Sequence, residues 1–124
     1  MTTLAQSAIE ACNIGILVLN QEGRIVVWNA WLVKHARISE AQAVGLRIEE
    51  IFPEIANTRI CQAIRMALVH GLSSILSQSL HGALLPLFPL KGQPHAEVGG
   101  QLQQTVTISP LNSPGKERHC LIQV

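Results

Sequence analysis

The 124-residue chain has little charge: Asp, Glu, Lys and Arg make up 14% of it, and its formal net charge is +1. A nucleic-acid interface needs clustered Lys and Arg to contact phosphates. Here the basic residues are scattered, as at Arg59, Arg65, Lys91, Lys116 and Arg118. We therefore expect no nucleic-acid partner. Disorder is not expected either, because apolar residues make up 48% of the sequence.

Long apolar runs are also missing. None approaches the roughly 20 residues that a membrane-spanning helix requires. The opening segment, MTTLAQSAIEAC, has neither the basic start nor the continuous apolar stretch of a signal peptide. We therefore expect no membrane insertion by this segment and a cytoplasmic location.

The sequence lacks metal-ligand and disulfide spacings. Cys12, Cys61 and Cys120 are an odd set without a CxxC pair, which predicts reduced, packed thiols. The histidines show no HxxxH or HxH spacing, so we expect no zinc site. These histidines are His35, His70, His81, His95 and His119.

The most informative segment that is present runs from Ile14 to Trp31, IGILVLNQEGRIVVWNAW. Two runs rich in β-branched residues flank a short polar stretch that contains Gly23, which predicts a β-hairpin. Asn29 then stands where a helix N-cap belongs, since its side-chain oxygen can accept from backbone N–H groups two or three residues on.

Two capping boxes, Thr3 to Gln6 and Ser39 to Gln42, predict the starts of short helices. The first helix is predicted over residues 3–12, and Gly45 is a natural residue to follow the second. Further short helical segments are predicted at residues 29–36 and 47–52.

The longest helix is predicted to be capped by Asn57, to run to His70 and to end at Gly71. Four apolar residues in it fall at i, i+4, i+7 and i+8, which marks a buried face. They are Ile60, Ile64, Ala67 and Leu68.

Val106 and Ile108 alternate with polar residues, which predicts a half-buried strand, and an inner strand is predicted at residues 118–124. Asn112-Ser113-Pro114-Gly115 is a predicted hairpin connection between these two. The proline-rich segment over residues 82–100 has two interpretations. It is either a connection that lies over the domain's own apolar surface, or an exposed docking patch at Leu84–Leu90 for a partner or a second subunit.

The order and spacing of these features resemble a PAS domain, the small sensory module of many signalling proteins. The resemblance rests on Asn20, Gly23 and Asn29, and continues through Ser39-Glu40 and Gly45 to Ile51-Phe52-Pro53. Residues 75–80, 102–111 and 118–124 fit the last three strands of such a domain. It implies an α+β fold, with a five-stranded antiparallel sheet and short helices packed on one face. We expect residues 1–13 to form a flanking helix and residues 14–124 the PAS-like sensor domain.

The resemblance also implies a role in sensing within a larger bacterial protein. The expected output domain, in the same polypeptide, is a diguanylate cyclase or a histidine kinase, and the expected assembly is a homodimer. The alternative is a module that only dimerises and binds no ligand. Enzymatic activity in this chain is disfavoured, because adjacent residues such as His119 and Cys120 point to opposite faces of a strand.

A PAS fold implies an interior between its sheet and helices in which a ligand can bind. Alternation along the predicted elements gives the residues expected to face it: Leu17, Leu19, Trp31, Phe52, Ile64, Leu68, Val106 and Ile108. Their apolarity suggests a small apolar ligand, although a filled core explains the same residues. Haem is disfavoured, because haem-binding PAS domains usually carry the ligating His within the long helix, where this chain has none: His70 lies at the helix end and Cys61 is a weaker second candidate. Flavin-binding light sensors of the same superfamily carry their cysteine in the helical motif NCRFLQ. Flavin is disfavoured here, because Cys61 lies in RICQAI and lacks those polar neighbours.

Overall fold

The computed structural model describes residues 3–77, 84–87, 104–112 and 117–124. Its strands form one antiparallel five-stranded sheet in the order β2-β1-β5-β4-β3. The strands are β1 (Ile16–Leu19), β2 (Ile25–Trp28), β3 (Ser74–Ser77), β4 (Thr105–Asn112) and β5 (Arg118–Gln123). The expected α+β, PAS-like sheet is therefore confirmed, and β5 lies at its centre.

The helices lie mainly between β2 and β3 in the chain. They are α1 (Leu4–Ala11), α2 (Ala30–Ala36), α3 (Glu40–Ala43), α4 (Ile48–Ile51) and α5 (Arg59–His70), with a 3₁₀ turn at Pro53–Ile55. Both predicted capping boxes are present, at the starts of α1 and α3. Among the described residues, no helix is both long and apolar enough to cross a bilayer.

The β1–β2 hairpin forms as predicted. The Asn20 Oδ1 accepts from the backbone N–H groups of Glu22 and Arg24, at 3.0 and 2.9 Å. Gly23 has a φ of 83° and completes the turn. The asparagine therefore fixes the turn by bonding to its own loop, as such side chains do.

Strand register places one apolar row across the sheet. Leu17 pairs with Trp28 on one side and with Ile122 on the other, and Ile122 in turn pairs with Ile108. All four side chains are at most 1% exposed. Since side chains on one face of neighbouring strands touch, this row forms the floor on which the helices pack.

Helix α5 packs on the half of the sheet formed by β3, β4 and β5, and one of its predicted boundaries is wrong. Gly71 ends the helix as predicted, with a left-handed φ of 67° that favours glycine. The residue at the N-cap position, however, is Thr58 and not Asn57. Asn57 has a φ of 64°, so it turns the chain into the helix, a conformation that asparagine tolerates.

The described part of the proline-rich segment lies over the core. Leu84, Leu85 and Leu87 are buried. The Gln104 side-chain amide, at the start of β4, bonds to both the N–H and the carbonyl of Leu85. The connection over apolar surface is therefore confirmed here, and an exposed docking patch is wrong for these three leucines. Residues 88–90 of that patch lie outside the described residues.

Candidate functional site

The residues predicted to face an interior site mostly come together between the sheet and the helices. Six of them belong to one buried cluster: Leu17, Leu19, Phe52, Ile64, Val106 and Ile108. Trp31 and Leu68 are partly buried and pack against that cluster. The sheet and α5 thus meet in a continuous apolar layer, and a ligand within it stays a prediction.

Trp31 lies at the edge of this layer, on α2. Its ring stacks on His35, with ring centroids 3.9 Å apart. Both line a cleft of about 280 Å³ between α1 and α2. A Cβ added to Gly15 would lie 2.8 Å from the Trp31 Cε3 atom, so the indole requires a glycine there.

A larger open cleft, of about 500 Å³, runs along the flank of α5. We call it the α5 cleft. The lining residues come from the β1–β2 turn, the beginning of α4 with its N-cap, the segment before α5 and one flank of α5: Gln21, Glu22, Gly23, Arg47, Glu49, Ala56, Asn57, Cys61, Ile64, Arg65, Leu68 and Val69.

Sequence reasoning found only two residues of the α5 cleft, Ile64 and Leu68, and missed its charged side chains. The helical spacing of Cys61, Arg65 and Leu68 (i, i+4, i+7) was a usable signal, because such residues share one helix face. The opposite wall had no local signal, since α4 and the hairpin turn approach α5 only through tertiary packing.

The Cys61 thiol in the α5 cleft is kept neutral by its surroundings. Burial raises its pKa above 9.0, and the negative charge of Glu49 raises it further. Backbone hydrogen bonds from Asn57 and Thr58 and the charge of Arg65 act in the opposite direction but are weaker. The thiol is therefore an uncharged part of the wall and not an activated nucleophile.

Cys120 belongs to the core. Its side chain is fully buried on the inner face of β5, and burial raises its pKa to about 12. His119, on the same strand, points to the other face of the sheet. Among the described residues, no three His, Cys, Asp or Glu side chains are placed to hold a metal ion.

Asn29 links the N-terminal helix to the sheet. Its Oδ1 accepts from the N–H groups of Ile16 and Leu32, at 3.1 and 3.3 Å. Its Nδ2 donates to the carbonyls of Ile9 and Ile14, at 3.0 and 2.9 Å. The sequence predicted the cap on α2, but not the two donated bonds that attach α1.

The two ends of the domain meet at the same place. Gly15, just before β1, and Val124, just after β5, exchange both backbone hydrogen bonds, at 3.0 and 3.4 Å. Because Asn29 bonds to residues on either side of Gly15, α1, β1 and the end of β5 form one hydrogen-bonded unit.

Comparison with known proteins agrees with this architecture. The PAS fold family model matches residues 9–124. No curated protein sequence matches the chain. A sensory box sensor histidine kinase from Vibrio cholerae is similar in structure, with a TM-score of 0.65 and 23% identity, covering 97% of this chain and 86% of that one.

Two further solved structures are similar. The PAS domain of nitrogen regulation protein NR(II) from Vibrio parahaemolyticus has a TM-score of 0.58 and 16% identity, covering 99% of this chain and 98% of that one. The PAS domain of BvgS from Bordetella pertussis has a TM-score of 0.55 and 13% identity, covering 96% of this chain and 79% of that one. The family match spans nearly the whole chain and the fold is the same, so this chain belongs to the PAS fold family.

Proposed function

We propose that this PAS domain is the signal-sensing module of a larger bacterial signalling protein. In this proposal a ligand or partner alters the packing of the domain, and β5 passes the change to an output domain in the same polypeptide. The V. cholerae structure comes from a sensor histidine kinase. We therefore propose a histidine kinase output first and a diguanylate cyclase second.

The position of β5 carries this proposal. It is the central strand of the sheet, its Ile122 side chain is fully buried in the apolar row, and Val124 follows it directly. In this proposal, a change in the packing of α5 on the sheet acts on β5, which α5 contacts, and through β5 on Val124. A ligand shifts such an equilibrium only by its differential affinity for the two packings.

The three free thiols support a cytoplasmic location, because thiols stay reduced in that compartment. This location is part of the proposal, as is the absence of a nucleic-acid partner.

The test is made in the full-length protein, with an assay of autophosphorylation or of cyclic dinucleotide synthesis. Ile122→Val removes one methyl group from the centre of the core and should change the basal output. Ile75→Val is the matched control, since Ile75 lies on edge strand β3 and is 68% exposed. An Ile122→Val protein that stays folded and has unchanged basal and stimulated output would contradict the proposal.

A second proposal is that the domain forms homodimers through α1. Helix α1 has no buried residues, and its Leu4 is 88% exposed. A helix this short is only marginally stable by itself, so it gains stability when its apolar stripe packs against another protein surface. Replacing Leu4 and Ile9 by Ser should halve the mass measured by analytical ultracentrifugation. Leu72→Ser, at another exposed leucine, should leave it unchanged. If the Leu4 and Ile9 double variant kept the same dimer mass as the Leu72→Ser control, α1 would be excluded as the interface.

A further inference from the structure

We propose that the α5 cleft binds a small monocarboxylate with a short apolar tail, and that Arg47 and Arg65 hold its carboxylate. This inference rests on the proposed sensing function for its biological meaning, and names the chemistry that the domain detects. The binding step itself can be tested independently.

The shape of the α5 cleft suits a small molecule. One wall is the flank of α5, and the other is formed by α4 and the β1–β2 turn. Its volume of about 500 Å³ falls within the range of roughly 300–1,000 Å³ that is usual for ligand sites. Asn57, in its left-handed conformation, lies just before α5 and also lines the cleft.

Two arginines in the α5 cleft are available to an anion. In the part of the chain that the structure describes, neither Arg47 nor Arg65 has a side-chain hydrogen bond or ion pair. Of the two acids in the lining, Glu22 lies 4.0 Å from the Arg24 guanidinium, which leaves Glu49 as the acid without an ion pair.

The two arginines and Glu49 together select the type of anion. Guanidinium groups bind carboxylates through paired, charge-assisted hydrogen bonds. A dianion such as phosphate would bring a second negative charge toward Glu49, whereas a monocarboxylate brings only one. The ligand class is therefore a monoanion.

The rest of the lining suits an apolar tail. Ile64 belongs to the core cluster and Leu68 packs against it, and both line the cleft together with Val69 and Ala56. The neutral thiol of Cys61 adds a further uncharged surface. An apolar tail on this surface contacts the helix that covers the sheet, which is the contact a sensor requires.

The test is a titration of the ¹⁵N-labelled 124-residue chain with hexanoate at pH 7, followed by NMR. Two probes of equal length, 1-hexanol and hexylamine, report on the charge requirement. Hexanoate should shift the amides of residues 61–69 and 47–49 in a saturable way and should bind more tightly than either. Arg47→Gln and Arg65→Gln should each weaken hexanoate binding about tenfold, the usual effect of losing one charge-assisted bond.

Arg59→Gln is the matched control, because Arg59 is also on α5 but lines a different surface depression with Met66 and Ser74. It should bind hexanoate like the unmodified chain. Absence of saturable shifts in the α5 cleft, equal affinity for 1-hexanol, or tighter binding of hexylamine would each overturn the inference. So would unchanged affinity in both folded cleft variants.

Failure here is distinguishable from failure of the sensing role. If hexanoate does not bind but Ile122→Val alters the output of the full-length protein, the carboxylate site is wrong and the sensing role stands. If hexanoate binds but the output never responds to Ile122→Val, the site stands and the proposed signal route is wrong.

Discussion

Replacing Asn29 by Ala should destabilise the domain more than any other single change of a polar residue described here. The side chain is fully buried and makes four hydrogen bonds to backbone groups of α1, the segment before β1, β1 and α2. Alanine removes the partner of each of these backbone groups at once. The prediction therefore concerns both the stability of the fold and the attachment of α1.

The magnitude follows from those four bonds. A typical hydrogen bond contributes about 1 kcal/mol net, which gives about 4 kcal/mol in total. The carbonyls of Ile9 and Ile14 lie in a partly exposed segment, where water replaces much of what the asparagine supplies. We therefore expect Asn29→Ala to cost about 3 kcal/mol. Asn29→Ser keeps a hydroxyl that can cap α2, so it should recover about 1 kcal/mol of this loss.

Urea unfolding of the three proteins, followed by circular dichroism, measures these differences. Asn112→Ala is the matched control, because Asn112 is exposed at the end of β4, and it should change stability by less than about 0.5 kcal/mol. The reasoning fails if Asn29→Ala costs less than about 1 kcal/mol, or if Asn29→Ser is no more stable than Asn29→Ala. NMR spectra of the Ser variant should also show α1 amides shifted toward unfolded positions.

Further predictions concern the core, one helix end and pH. Ile122→Ala should cost about 3 kcal/mol because it empties part of the core, whereas Ile75→Ala on the exposed edge should cost far less; urea unfolding of both decides this. Gly71→Ala should cost about 1 kcal/mol in thermal unfolding, because its φ is left-handed and an added Cβ would lie 3.3 Å from the Arg118 guanidinium; an unchanged melting temperature would count against it. The pKa of Cys120 is about 12 in the folded chain against 9.0 without burial, so the contribution of its neutral thiol is complete below pH 9 and is lost as pH rises from 9 toward 12. A stability–pH curve with no decline over that range, or reaction of Cys120 with a thiol reagent in the folded protein, would contradict this.

Much of the fold could be predicted from local chemistry. The hairpin rests on the β-branched runs around Gly23, and the starts of α1 and α3 rest on capping boxes whose partners are three residues apart. The end of α5 was predicted from one glycine, Gly71. Each of these signals involves residues close in sequence, so no knowledge of the tertiary structure was needed. The cap of α5 was misplaced by one residue, because Asn57 and Thr58 are both good caps by type and only backbone geometry separates them.

The candidate sites were predicted less well. Alternation identified which side chains point inward, such as Leu17 and Ile108, but an apolar core and an apolar pocket obey the same pattern. The charged lining of the α5 cleft brings together Glu22, Arg47 and Arg65, which are far apart in the sequence. Its location depends on how the hairpin turn and α4 pack beside α5.

The sequence by itself determined the α+β class, the identity of most elements and the inward face of each strand, because these follow from side-chain periodicity and short-range hydrogen bonds. Only the tertiary structure decided the sheet order with β5 at its centre, the four bonds of Asn29 and the convergence of two free arginines on one cleft. The reason is physical: such contacts join residues distant in the chain, and their geometry is set by how whole elements pack.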